Sequence, residues 1–121
     1  MPEINCKDHA VFCFVMMSCD KLEDKLKPVG FQLSGMVYEI PAKEYLFVSN
    51  AHKCFLKIHK NNLPGNESEI FLMGDLFLKH FYSVYDFDND RIGLGVNSHS
   101  ANLVQIYEPG KRKKEKPFAF A

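Results

Sequence analysis

The chain has 121 residues, and its 15 basic and 15 acidic side chains cancel to a formal net charge of zero. That length holds one domain rather than two well-built ones, and 46% hydrophobic with 25% charged residues is the mix of a globular protein. Zero net charge argues against a protein whose whole surface binds nucleic acid or acidic lipid, though it leaves room for a local patch, and no run approaches the ~18 apolar residues of a membrane span.

The longest apolar run, Ala10 to Met17, has the length of a buried strand. Asp20 to Lys27 is charged and closed by Pro28, which reads as a connection with one helical turn. Val29, Phe31 and Leu33 then alternate with Gly30 and Gln32, Ser34-Gly35 makes a turn, and Met36 to Ile40 runs apolar again. This is a β-hairpin. Pro41 to Tyr45 opens on a proline suited to the first helical position and reads as a single turn, followed by strands at Leu46–Val48 and Cys54–Ile58. Lys60 to Ser68 is a loop.

Ile70-Phe71-Leu72-Met73 is wholly apolar and is expected to be a strand buried on both faces, stopping at Gly74-Asp75. Leu76 to Phe81 reads as a short helix capped by Asp75. Tyr82–Phe87 and Arg91–Val96 form a second hairpin around Asp88-Asn89-Asp90. Beyond Asn97 the periodicity ends. Residues 111–116 hold five basic groups and one acidic, leaving ten basic and fourteen acidic elsewhere, so an acidic body carries a basic tail. That tail, residues 98–121, is expected to be disordered. The whole is a mostly β protein of short strands and hairpins with one-turn helices.

Several motifs invite chemistry, and each has a plainer reading. Cys6-x2-His9-x3-Cys13-x5-Cys19 has the residue types of a structural zinc site. Zinc knuckles pair Cys-x2-Cys across a turn, whereas Cys13 and Cys19 fall in or beside an apolar strand, so buried free thiols fit the spacing better. No metal and no cofactor is expected. Asp86-x-Asp88-x-Asp90 resembles half a calcium loop, but the glycine and glutamate that such a loop needs are Arg91 and Asn97 here. A hairpin turn is the better reading. His9, His52, His59, His80 and His99 show no ligand spacing, and no Ser or Cys stands in a nucleophile elbow. Asn66-Glu67-Ser68 is a glycosylation sequon after the turn signal Pro64-Gly65. The first residues lack the basic-then-apolar layout of a signal peptide, which read literally starts the chain in the cytosol. The basic run has no interleaved aromatics, so a solvated tail is expected and no nucleic-acid partner.

Ile70 to Asp86, with its apolar pair, Gly74-Asp75, a short helix and an aromatic strand ending in Asp86, resembles the late signature of pepsin-like aspartic proteases. Asp88-Asn89-Asp90-Arg91-Ile92-Gly93-Leu94 resembles that family's closing hairpin. Ser18-Cys19-Asp20, Val29 to Leu33 and Tyr38 to Tyr45 are similar to the segments that precede it, in the same order. The resemblance covers residues 15–97, between residues 1–14, a leader or the start of a core strand, and the tail at 98–121. It implies an incomplete C-terminal lobe of an acid protease, with Gly74 and Asp75 beside the catalytic loop. It further implies a disulfide between Cys19 and Cys54, a secreted, lysosomal or vacuolar compartment, and a polypeptide substrate for the complete enzyme.

The resemblance also identifies what these residues lack. The family hydrolyses peptides with two carboxylates, each in an Asp-Thr-Gly or Asp-Ser-Gly loop, that share a proton and activate a water. Here Asp8, Asp20, Asp24, Asp75, Asp86, Asp88 and Asp90 are followed by His, Lys, Lys, Leu, Phe, Asn and Arg. No catalytic residue is therefore assigned, and the chain alone is expected to be inactive. The strand ending at Gly74 would lack the loop it supports in the family, leaving unpaired edges open to self-association. The rival expectation is a non-catalytic β module that binds a protein partner through such an edge or through the basic tail.

Overall fold

The structure, a computed structural model, describes Ile4, residues 13–50, residues 52–59, Gly65 and residues 70–121. Cys6, His9, the start of the first apolar run and the sequon at Asn66 lie outside the described residues. The chain is mostly β, with nine strands in three small antiparallel sheets among the described residues. It divides into two compact units, one drawn from Met1–Lys27 and Ala42–Met73, the other from Pro28–Pro41 and Gly74–Ala121.

In the first unit, β1 (Phe14–Val15), β5 (Lys53–Leu56) and β4 (Leu46–Asn50) form a sheet in the order β1-β5-β4. Phe14 lies opposite Phe55, and Phe55 opposite Phe47, so three rings share one face; Phe47 and Phe55 stack at 5.2 Å. Cys54, on the alternate position, is fully buried. The helix α1 (Cys19–Glu23) brings Cys19 to it, and the two form a disulfide with Cα atoms 5.0 Å apart. Closing 35 residues in this way stabilises the fold by about 4 kcal/mol on the chain-entropy model. Leu22 of α1 is fully buried in this unit, and the Tyr45 hydroxyl donates to the Lys27 carbonyl at 2.8 Å. The free-thiol reading of the cysteines is corrected here: Cys13, Cys19 and Cys54 are all disulfide-bonded.

The second unit holds two sheets. β2 (Val29–Leu33) and β3 (Met36–Ile40) form the expected hairpin, and β8 (Gln105–Tyr107) adds on the far side of β3. Ser34 and Gly35 both have positive φ, 48° and 81°, the two-residue geometry whose twist matches that of the strands. The other sheet has the order β6-β7-β9, from β6 (Phe81–Asp86), β7 (Arg91–Val96) and β9 (Phe118–Phe120). Its turn places Asp90 in the left-handed region at φ 49°.

An aromatic cluster forms the core of this unit. Phe77 and Phe81 have ring centroids 4.7 Å apart, Tyr38 meets Phe81 edge-on at 5.6 Å, and Phe31 meets Phe77 edge-on at 5.7 Å. Such pairs add about 0.5–1.5 kcal/mol each beyond their buried area. Ile40, Val104 and Ile106 complete it, all nearly or fully buried.

Residues 98–121, where the sequence suggests a disordered tail, contain the strands β8 and β9. Ile106 is fully buried opposite Tyr38 of β3 and Val104 is buried just before the strand, while Phe118 and Phe120 flank Ala119 in β9. The basic block between them is neutralised in part: Arg112 pairs with Glu39, and Lys111 and Lys116 with Glu108. Burial of the flanking apolar residues outweighs the cost of ordering the charged loop.

Candidate functional site

The residues that resemble a protease signature lead into α2 (Asp75–Leu78). Gly74 is its N-cap, in extended conformation, and its carbonyl accepts the N–H groups of Phe77 at 3.0 Å and Leu78 at 2.9 Å. The helix therefore starts one residue earlier than expected, with Gly74 as the cap; Asp75 lies in the first turn, where a carboxylate favours the positive end of the helix. It also ends earlier. Phe81 belongs to β6 because it pairs with Val96 of β7, and that ladder prevails over continuing the helix. Both Gly74 and Asp75 are exposed.

The segment before it departs further from expectation. Ile70 to Met73 forms no strand, and Phe71 is 83% and Leu72 66% exposed. An apolar run forms a doubly buried strand only when neighbours lie on both sides and both faces. Ile70 to Met73 belongs to none of the sheets of the described residues, its backbone is irregular, and Phe71 and Leu72 face solvent.

Around α2 the structure brings together pairs that sequence reading missed. His80 and Ser100, both buried, have Nδ1 and Oγ 2.8 Å apart. They stand twenty residues apart with no shared periodicity, so no local signal could have joined them. At the hairpin tip, the Asp86 carboxylate accepts from Arg91 Nε at 2.8 Å and from Asn89 Nδ2 at 3.0 Å. These bonds, the Arg91 one foremost, hold its carboxyl below the ordinary range. Opposite charges flanking a hairpin loop are a readable signal for this pair. The Asp86, Asp88 and Asp90 triplet thus serves a turn, not a calcium loop. Arg91 also lies over the Phe120 ring at 3.6 Å.

On the same sheet, Tyr82, Gly95 and Phe118 lie in one register row. The rings of Tyr82 and Phe118 stack and cover the strand so closely that a Cβ on Gly95 would fall 2.1 Å from Tyr82, and one on Gly93 2.0 Å from Phe118. Among the described residues no cluster of three or more His, Cys, Asp or Glu is placed to hold a metal, and Cys19 is committed to its disulfide. No helix among them is long and apolar enough to cross a membrane.

A disulfide, a Gly-Asp entry into a short helix, an aromatic strand and a closing hairpin follow one another in a mostly β chain. A match to the eukaryotic aspartyl protease family covers residues 2–97, and the chain belongs to that family. It is 32% identical to gastricsin of Suncus murinus over 81 residues, 66% of this chain and 20% of that protein. It is 35% identical to a pregnancy-associated glycoprotein of Equus caballus over 81 residues, and 39% identical to the aspartic-type endopeptidase ctsD of Aspergillus fumigatus over 70 residues. Those matches cover 66% and 58% of this chain, and 21% and 14% of the relatives. The chain thus spans about a fifth of the length of the relatives it matches. No solved structure matches it.

Proposed function

We propose that this chain is the C-terminal-lobe part of an aspartic-type endopeptidase and that it does not hydrolyse peptides by itself. One observation carries the reading: the signature around Gly74 and Asp75 occurs in a sequence where no Asp is followed by Thr-Gly or Ser-Gly. In the complete family enzyme two such carboxylates activate a water that attacks the peptide carbonyl. Residues 15–97 then supply the back of one lobe, with Gly74 and Asp75 beside the place of the catalytic loop, and residues 98–121 extend its sheets. The exposed apolar side chains of Phe71 and Leu72 support this, since an apolar segment that would pack beside such a loop is left uncovered without it. The Cys19–Cys54 bridge supports a secreted, lysosomal or vacuolar setting, in which Asn66 is a glycosylation acceptor.

The purified 121-residue chain should show no cleavage of a denatured protein substrate at about pH 3 to 5, the range in which a carboxylate dyad shares its proton. Cleavage that a statine-type transition-state analogue blocks would overturn this.

A second reading, a non-catalytic β module that binds a protein partner or another copy, draws on the exposure of Tyr82 and Val84 on β6, an edge strand in its sheet. Sedimentation that shifts with concentration and reverts in a Val84→Lys variant would favour it; a concentration-independent monomer would not.

A further inference from the structure

The most strongly charged feature of the chain lies beyond the family match, which ends at residue 97. Between β8 and β9, residues 111–116 carry five basic groups against one acidic. They are not a loose tail. The N–H of Lys111 donates to the Glu108 carbonyl at 2.8 Å, that of Lys114 to Lys111 at 2.9 Å, and that of Lys116 to Ile106 at 2.7 Å. Gly110, at φ 81°, turns the chain into the loop. Arg112 locks it from the side: its guanidinium forks onto both oxygens of Glu39, which also accepts from the Tyr107 hydroxyl at 2.9 Å. Every residue from Lys111 to Pro117 is nonetheless exposed. The ordering cost that weakens a disordered basic tail has already been met by folding.

Within this loop one carboxylate serves two lysines. Glu108 lies 3.1 Å from Lys111 Nζ and 3.7 Å from Lys116 Nζ, and both ammoniums hold its carboxyl below the ordinary range. Together with Lys114 and Glu115 these residues line a cleft of about 330 Å³. Lys113 and Lys114 carry no ion pair among the described residues. Three lysines and two carboxylates thus line the cleft, and Glu108 is the one that holds two of the lysines.

We propose that the Lys111–Lys116 loop binds a sulfated polysaccharide of the heparin type, with Glu108 occupying the place of one sulfate until the polymer displaces it. Two observations favour this polymer over nucleic acid. Three cysteines are disulfide-bonded in the described structure, which favours an oxidising compartment, where the abundant polyanions are sulfated glycans. The loop also contains no aromatic side chain, and single-stranded nucleic acids are held largely by stacking on such rings. This reading is independent of whether the chain contributes to a peptidase.

Calorimetric titration of the full chain with a heparin hexasaccharide tests it. Binding should be measurable at about 0.05 M NaCl and weaken about tenfold or more by 0.2 M, as counterion release requires. A Lys113→Ala/Lys114→Ala variant, which removes no intrachain ion pair, should bind about tenfold more weakly with an unchanged circular dichroism spectrum. Glu108→Gln should bind severalfold more tightly. Absence of binding at low salt, equal affinity in the double lysine variant, an unaltered Glu108→Gln, or tighter binding of duplex DNA than of heparin would each overturn the proposal.

Discussion

Asp86 closes β6 opposite Arg91, the first residue of β7, and the two side chains are tied at 2.8 Å while Asn89 donates to the same carboxylate. The bonds lower the Asp86 pKa in the folded chain, Arg91 being the larger cause. A carboxyl whose folded value lies below its unfolded one adds stability that is fully present above the unfolded value. That stability is lost as the pH falls through the folded value. Asp86→Asn should therefore lower the urea midpoint at neutral pH, and the two midpoints should converge once the pH drops below the usual carboxylate range. A gap that stays constant into acid would show that the charge contributes nothing. The Arg91 guanidinium also lies over the Phe120 ring at 3.6 Å.

At the level of elements, the β2–β3 hairpin was readable because two local signals agree there: alternation on both sides and a Ser-Gly turn between them. The turn is also where the element carries strain, since Ser34 sits at φ 48°, a left-handed conformation that Asn and Asp tolerate better than Ser. Asn-Gly is the preferred pair for this geometry. Ser34→Asn should raise stability by about 0.5 kcal/mol, read as a higher thermal midpoint; a lower midpoint would mean that the turn is not of this type. Other elements were less legible, for non-local reasons. Ile70 to Met73 carries the composition of a buried strand, yet pairing depends on neighbours that no local pattern reveals. Phe118 and Phe120 alternate in β9, and Ile106 in β8 follows Val104 two places on, but each strand spans only three residues beside a charged block that reads as a solvated tail. The Cys19–Cys54 bridge followed from the family resemblance, whereas the spacing of the cysteines alone suggested free thiols.

For the molecule as a whole, the chain beyond Asn97 determines whether the second unit has a complete core. The family match ends at residue 97, so the matched part alone would lack β8 and β9. Without β8, the outer edge of β3 opens at Val37 to Glu39, and the core loses Val104 and Ile106. Fully burying each aliphatic side chain is worth about 1.5–3 kcal/mol, a large share of the 5–15 kcal/mol that separates folded from unfolded domains of ordinary size. Without β9, the Phe118 ring no longer covers Gly93, and the far edge of β7 is exposed at Gly93 to Gly95. Glycine strands with open edges slip and aggregate readily. A chain truncated after Asn97 should therefore unfold over a broad, poorly cooperative urea range and bind a hydrophobic dye. The full chain should show a steeper transition, because its tail completes both sheets of that unit. Retention of the full chain's midpoint and slope by the truncated one would mean that residues 98–121 only decorate a core already complete without them.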